Sequence, residues 1–159
     1  MRRFLRKLWP PSTRFADRSS EPRIVAASES VGRFIFQKRD IANAVPGRAK
    51  PNAFKPQMNA ETQLLETSVC RMSLVSADRI DHLGRTIRAP HAALAISAVG
   101  VGRLPRQLSC LEAPEPDFEE HAVIAGWPDG EDNKSVRMSL LQEIAAAAEP
   151  VRYLAQPAQ

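Results

Sequence analysis

Glu120-His121-Ala122-Val123-Ile124-Ala125-Gly126-Trp127-Pro128-Asp129-Gly130 is the stretch on which the reading of this chain turns. Its first half is a run of apolar and β-branched residues, the composition of a buried strand. A Trp-Pro corner ends that strand. Asp129 then reads as a helix N-cap, and Glu131 and Asp132 place negative charge at the helix start, where the dipole favours it. Asp129 and Asp132 have the spacing of a capping box, with Asp replacing the usual Glu or Gln. Val136, Leu140, Ile144 and Ala147 form one helical face, and Pro150 closes the helix.

Working outward, residues 113–120 hold Pro114, Pro116 and several acids, and read as a loop. Leu108 to Leu111 is a short strand, Gly100-Val101-Gly102 a turn, and Ala92 to Val99 a strand by composition. Ser76 caps a helix from Ala77 to about Ile87, with Ile80, Leu83 and Ile87 as its apolar stripe and Gly84 as its weak point. Thr67 to Ser73 and Val31 to Gln37 are further strands. Lys38 to Met58 is irregular and is pinned by Phe54, which lies between Pro51 and Pro56. Val151 to Leu154 is an edge strand. This order predicts an α+β domain over residues 31–155, a small mixed sheet with two helices packed on one face. Residues 1–30 read as a disordered basic tail.

The 159 residues suit one domain, and 43% hydrophobic content is enough for a core. The formal net charge of +4 is unevenly spread. Residues 1–56 hold 13 Lys+Arg against 4 Asp+Glu, and residues 57–159 hold 9 against 14. A basic front on an acidic body points to nucleic acid or a lipid surface, or to a solvated tail that binds nothing. Residues 1–9 are basic with Phe4, Leu5, Leu8 and Trp9 at helical spacing, so membrane-surface contact by this segment stays open. It lacks the apolar core and cleavage site of a signal peptide. No stretch reaches the ~20 apolar residues of a transmembrane segment, and the expected location is cytoplasmic.

Three sets of residues carry candidate chemistry. His121 stands beside Glu119 and Glu120 at a strand start, where it could serve as a general base or tie down the 113–120 loop. Arg71 in a strand must pair with a carboxylate of the fold or face a phosphate-like ligand. Arg33, Lys38, Arg39, Arg48, Lys50 and Lys55, interleaved with Phe34, Phe36 and Phe54, form the best nucleic-acid pattern. Cys70 and Cys110 have no metal spacing and read as buried free thiols. The chain lacks glycine-rich phosphate loops, paired C-x-x-C motifs, H-E-x-x-H and G-x-S-x-G, so no metal or other cofactor is expected.

Lys50-Pro51-Asn52-Ala53-Phe54-Lys55-Pro56, Ser68-Val69-Cys70-Arg71 and His121 to Pro128 together resemble a group of small uncharacterised bacterial proteins. That group carries K-P-x-A-F-x-P, S-V-x-R and H-A-x-I-x-G-W-P boxes. The resemblance spans about residues 33–155 and implies that the three boxes share one domain; no activity is assigned to the group. The functional expectation is a non-enzymatic binding or accessory module whose basic front contacts nucleic acid or a protein partner. The alternatives are a small enzyme with a His121/Arg71 site beside Trp127, and a scaffold subunit of a larger complex.

Overall fold

The computed structural model describes residues 21–154. The basic segment 1–20 and residues 155–159 lie outside the described residues. Seven strands and two helices follow in the order β1 (Ser30–Ile35), β2 (Gln57–Met58), β3 (Leu65–Arg71), α1 (Ala77–Thr86), β4 (Ala95–Gly100), β5 (Ser109–Glu112), β6 (His121–Ala125), α2 (Lys134–Ala147) and β7 (Glu149–Tyr153). They form one sheet in the order β5-β6-β3-β1-β4-β7, with β2 paired to β3. The class is α+β.

Two details differ from the sequence expectation. Every strand pair is antiparallel, so the sheet is not mixed. The helices lie on opposite faces rather than one. Leu140, Leu141 and Ile144 of α2 pack with Val31, Ile35, Val69, Val99 and Ile124. Ile80 and Leu83 of α1 pack with Phe34, Cys70 and Ile96. The strand order explains both findings. α1 carries the chain from β3 to β4 with β1 inserted between them, and α2 carries it from β6 to β7 with three strands inserted. Each crossover joins strands that run parallel, yet no two of these are neighbours. Both crossovers move the same way across the sheet, but β3 and β6 run in opposite directions. Two crossovers of one hand must then cover opposite faces, and the right hand is the default.

The ordered fold also begins before residue 31. Ile24 bridges Leu111, Val25 N–H donates to the Cys110 carbonyl at 2.8 Å, and Val25 is buried. Residues 24–29 are therefore part of the domain and not of a tail. Ile24-Val25-Ala26-Ala27 is too short an apolar run to announce this, because a single bridge to the free side of β5 needs no longer pattern. At the other end, α2 starts at Lys134 and not after Asp129. The Asp129 carboxylate instead accepts from the Gly130 N–H, and Glu131–Asn133 forms a separate turn.

Several other local readings hold, although β4 begins at Ala95 rather than Ala92 and β7 at Glu149 rather than Val151, taking in Pro150. Ser76 caps α1 by accepting from Arg79 N–H, and Phe54 is fully buried against the α2 face. Gly126 has φ of +91° where β6 meets the Trp127 corner. A Cβ there would overlap the Gln107 carbonyl oxygen. Gly126→Ala adds both left-handed strain and that overlap, so it should lower unfolding stability by about 3 kcal/mol. Urea denaturation of wild type and variant checks it; a loss below about 1 kcal/mol would show that the corner can re-form.

Candidate functional site

β6 pairs with β3 so that Cys70 faces His121 and Ser68 faces Val123. Ser68 and His121 are thus diagonal neighbours on the α1 face. The His121 side chain is 2% exposed. Its Nε2 lies 2.6 Å from Ser68 Oγ, and its Nδ1 lies 2.7 Å from the Ala113 carbonyl oxygen. A carbonyl can only accept, so in the neutral ring Nδ1 carries the proton and Nε2 accepts the Ser68 hydroxyl. Glu115 Oε1 stands 3.2 Å from Nδ1, and the Phe118 ring centroid lies 5.1 Å from the imidazole. Burial holds the Glu115 carboxyl above the usual carboxylate range. Chemically this is a hydroxyl polarised by an imidazole. Structurally it is a latch, because the same ring holds the loop at Ala113.

Arg71 is on the other face of the sheet. It follows Cys70 by one residue, and one step along a strand reverses the side-chain direction. Its guanidinium donates to both Glu29 oxygens at 3.1 and 2.8 Å, and to Glu112 at 2.8 Å. Ser73 Oγ adds a bond to Glu29. Trp127 lies in the α2-side core and donates Nε1–H to the Ile124 carbonyl. The expected His121/Arg71 site beside Trp127 is therefore not assembled, and Arg71 is an internal ion pair.

The basic set divides. Arg33 turns inward, donating from Nε to the Ala53 carbonyl at 2.9 Å and from one terminal nitrogen to the Ser68 carbonyl at 2.7 Å. It stands where β1 leaves β3 after only two paired positions, and replaces ladder bonds with side-chain bonds. Burial, and then the nearby Arg88 charge, lower its pKa to about 10. Arg48 donates to the Ala148 carbonyl just past α2. Lys38, Arg39 and Lys55 are exposed and Lys50 is half-buried. Phe34 and Phe54 are in the core, which removes them as stacking surfaces. Phe36 is half-buried, and the Arg88 guanidinium carbon sits 5.5 Å over its ring.

Between α1 and the 113–120 loop lies an open groove of about 620 Å³. Leu83, Ile87, Pro116 and Phe118 give it an apolar lining, and Glu115, Asp117 and Glu119 ring it with acids. Arg79 ties its two walls together, bonding both Glu120 oxygens and the Asp117 carbonyl. Cys70 and Cys110 are free, lie in different cores, and are pushed up to about 12 chiefly by burial. Among the described residues no group of His, Cys, Asp and Glu could hold a metal ion. No described helix is long and apolar enough to cross a membrane.

Sequence reasoning missed Ser68, Glu115, Arg79 and Arg88. Each gains its role from a partner far along the chain, so no local spacing announced it. No protein-family model matches the chain, and comparison with curated proteins and with solved structures finds no match to it.

Glu29 and Glu120 are both held below the ordinary carboxylate value of 4.5, chiefly by hydrogen bonds from Arg71 and Arg79 respectively. The folded state binds fewer protons than the unfolded one at these groups. Their stabilisation is therefore present above 4.5 and lost as pH falls through the lowered values. Thermal melts from pH 6 to pH 3 should show this decline, and the Glu29→Gln, Glu120→Gln double variant should show a flatter one. Identical acid slopes in both proteins would mean that other groups drive it.

Proposed function

We propose that this protein is a non-enzymatic binding module that takes a polyanion, nucleic acid first of all, on its cationic end. The supporting observation is the concentration of positive charge around Arg88. Arg88 lies over the half-buried ring of Phe36, close enough to Arg33 to disfavour a second charge there. Lys38 and Arg39 begin the next turn, Lys50 donates its backbone N–H to Asp40, and Lys55 ends the turn that follows. Asp40 is the acid that partly offsets this field at Arg33. Phosphates would meet Lys38, Arg39, Lys55 and Arg88. Arg33 and Arg48 support the scaffold from inside.

Such a surface reads charge and not sequence, since flexible lysines contact phosphate as point charges. About four neutralised phosphates give a log–log salt slope near −3.6 on duplex DNA. A gel-shift series in rising salt measures it. The Lys38→Glu, Arg39→Glu, Lys55→Glu variant should lose at least about tenfold in affinity at low salt, with its melting temperature kept. Wild-type protein that shifts neither duplex nor single strands at low salt rules the proposal out.

The enzyme alternative keeps one favourable observation, the 2.6 Å contact of Ser68 with His121 Nε2. In that reading Ser68, which is half-buried, acts as a nucleophile and His121 takes its proton. A fluorophosphonate probe separates the two readings. Covalent mass on Ser68, lost in Ser68→Ala and in His121→Gln, supports catalysis; an unlabelled serine leaves the pair as a latch. The scaffold alternative needs one large exposed apolar patch. The exposed large apolar side chains come from several elements: Ile24, Met58 of β2, Leu64, Leu74, Val136 and Met138 of α2, and Val151 and Tyr153 of β7.

A further inference from the structure

We infer that residues 1–9 of this same chain dock in the groove between α1 and the 113–120 loop. This goes beyond the polyanion reading and uses the opposite chemistry.

The first argument is complementarity. The groove offers an apolar lining from Leu83, Ile87, Pro116 and Phe118, and acids at Glu115, Asp117 and Glu119. Its one arginine, Arg79, is occupied by Glu120. Asp117 and Glu119 are exposed and have no ion pair among the described residues. The segment Met1-Arg2-Arg3-Phe4-Leu5-Arg6-Lys7-Leu8-Trp9 carries four cations and, besides Met1, four large apolar side chains. It is basic and amphipathic, as the groove is acidic and amphipathic. The cationic end at Lys38, Arg39 and Arg88 would repel it.

The second argument is where the described chain begins. Arg23 accepts from the Glu112 N–H, and Ile24 pairs antiparallel with Leu111. Traced back toward the N-terminus, the chain therefore runs along β5 toward Ala113, the first residue of the groove's own loop. The eleven residues from Pro10 to Ser20 join this point to the basic segment. Fully extended they reach about 36–40 Å. As a coil they span about 18 Å. α1 itself, at ten residues, is about 15 Å long. The tether is long enough to reach the groove and short enough to hold the segment there at roughly millimolar effective concentration.

The tether also selects the occupant. A free basic peptide would need the affinity alone; a segment tethered through Ile24 to β5, which leads into the 113–120 loop, does not. A second copy of this chain would offer the same residues without that advantage.

Zero-length carbodiimide cross-linking of the full chain tests the inference, because Lys7 is the only lysine in residues 1–20. At low salt Lys7 should join Asp117 or Glu119 within a single chain. An equal mixture of isotope-labelled and unlabelled protein should give few links between chains. The Arg2→Ser, Arg3→Ser, Arg6→Ser variant keeps Lys7 and every acid, and its yield of that link should fall about tenfold, as should wild type in 1 M salt. Trp9 emission, taken as the difference from Trp9→Phe, should be blue-shifted in wild type and move to the red in the arginine variant. Lys7 links shared evenly with Glu131 and Asp132 of the turn before α2 and with Glu143 of α2 would overturn the proposal. Links mainly between labelled and unlabelled chains would overturn docking in cis, and a water-exposed Trp9 in wild type would overturn docking altogether.

Discussion

The buried imidazole of His121 is the constraint on which the α1 side of the molecule depends. One ring nitrogen holds Ser68 on β3, and the other holds the loop at Ala113. The backbone of His121 closes the same circuit: its carbonyl accepts from Ala113 N–H and its N–H donates to Phe118. Residues 113–120 therefore leave the sheet and return to it at one residue. Without the ring, a buried carbonyl and a hydroxyl lose their partner, at about 1–3 kcal/mol for each group left unsatisfied. The loop so fixed presents Glu120 to Arg79, and that pair in turn sets α1 against the sheet.

β3 is the strand where the rest of the architecture meets. On one side it pairs with β6 over four positions, on the other with β1 over only two. The missing ladder beside β1 would leave carbonyls bare. Arg33 fills the gap by donating to Ser68 and to Ala53 in the turn at Pro51–Phe54. Thr67 fastens that turn again at the Phe54 carbonyl. A half-buried cation costs stability unless its donors are used, and here two carbonyl oxygens accept from them. Alternation along β3 then distributes roles. Thr67, Val69 and Arg71 face the α2 side, while Ser68 and Cys70 face α1. The catalytic pairing of His121 with Arg71 was excluded by this parity alone.

Features that depend on neighbours in sequence were legible. Ser76 and the stripe Ile80, Leu83 identified α1, and the apolar run of β6 identified a strand. Features that depend on strand order were not. Periodicity shows that a helix has a buried face but not which side of a sheet it covers; that follows from where β1 inserts. Asp129 misled for a related reason. Capping chemistry is short-range, and a Gly130 at positive φ lets the chain take an extra turn before α2. The buried face of α2 runs through Leu140, Leu141, Ile144 and Ala145, which leaves Val136 exposed at its edge. Cations were the least legible residues, because Arg33 and Arg48 look in sequence like Lys38 and Lys55 but bond carbonyls.

Charge completes the argument, because fields in salt are local. At physiological ionic strength the Debye length is about 8 Å, so exposed groups farther apart than that hardly sense one another. The net +4 of the chain therefore describes neither end of the domain. Around Arg88 and Lys38 an approaching ligand meets cations, whose field at Arg33 Asp40 partly offsets. At the 113–120 loop it meets carboxylates whose one neighbouring guanidinium is already bonded. Two surfaces of opposite sign on one small domain cannot serve the same ligand. Under the two proposals made above, the basic segment takes the acidic surface and the cationic end takes the anion.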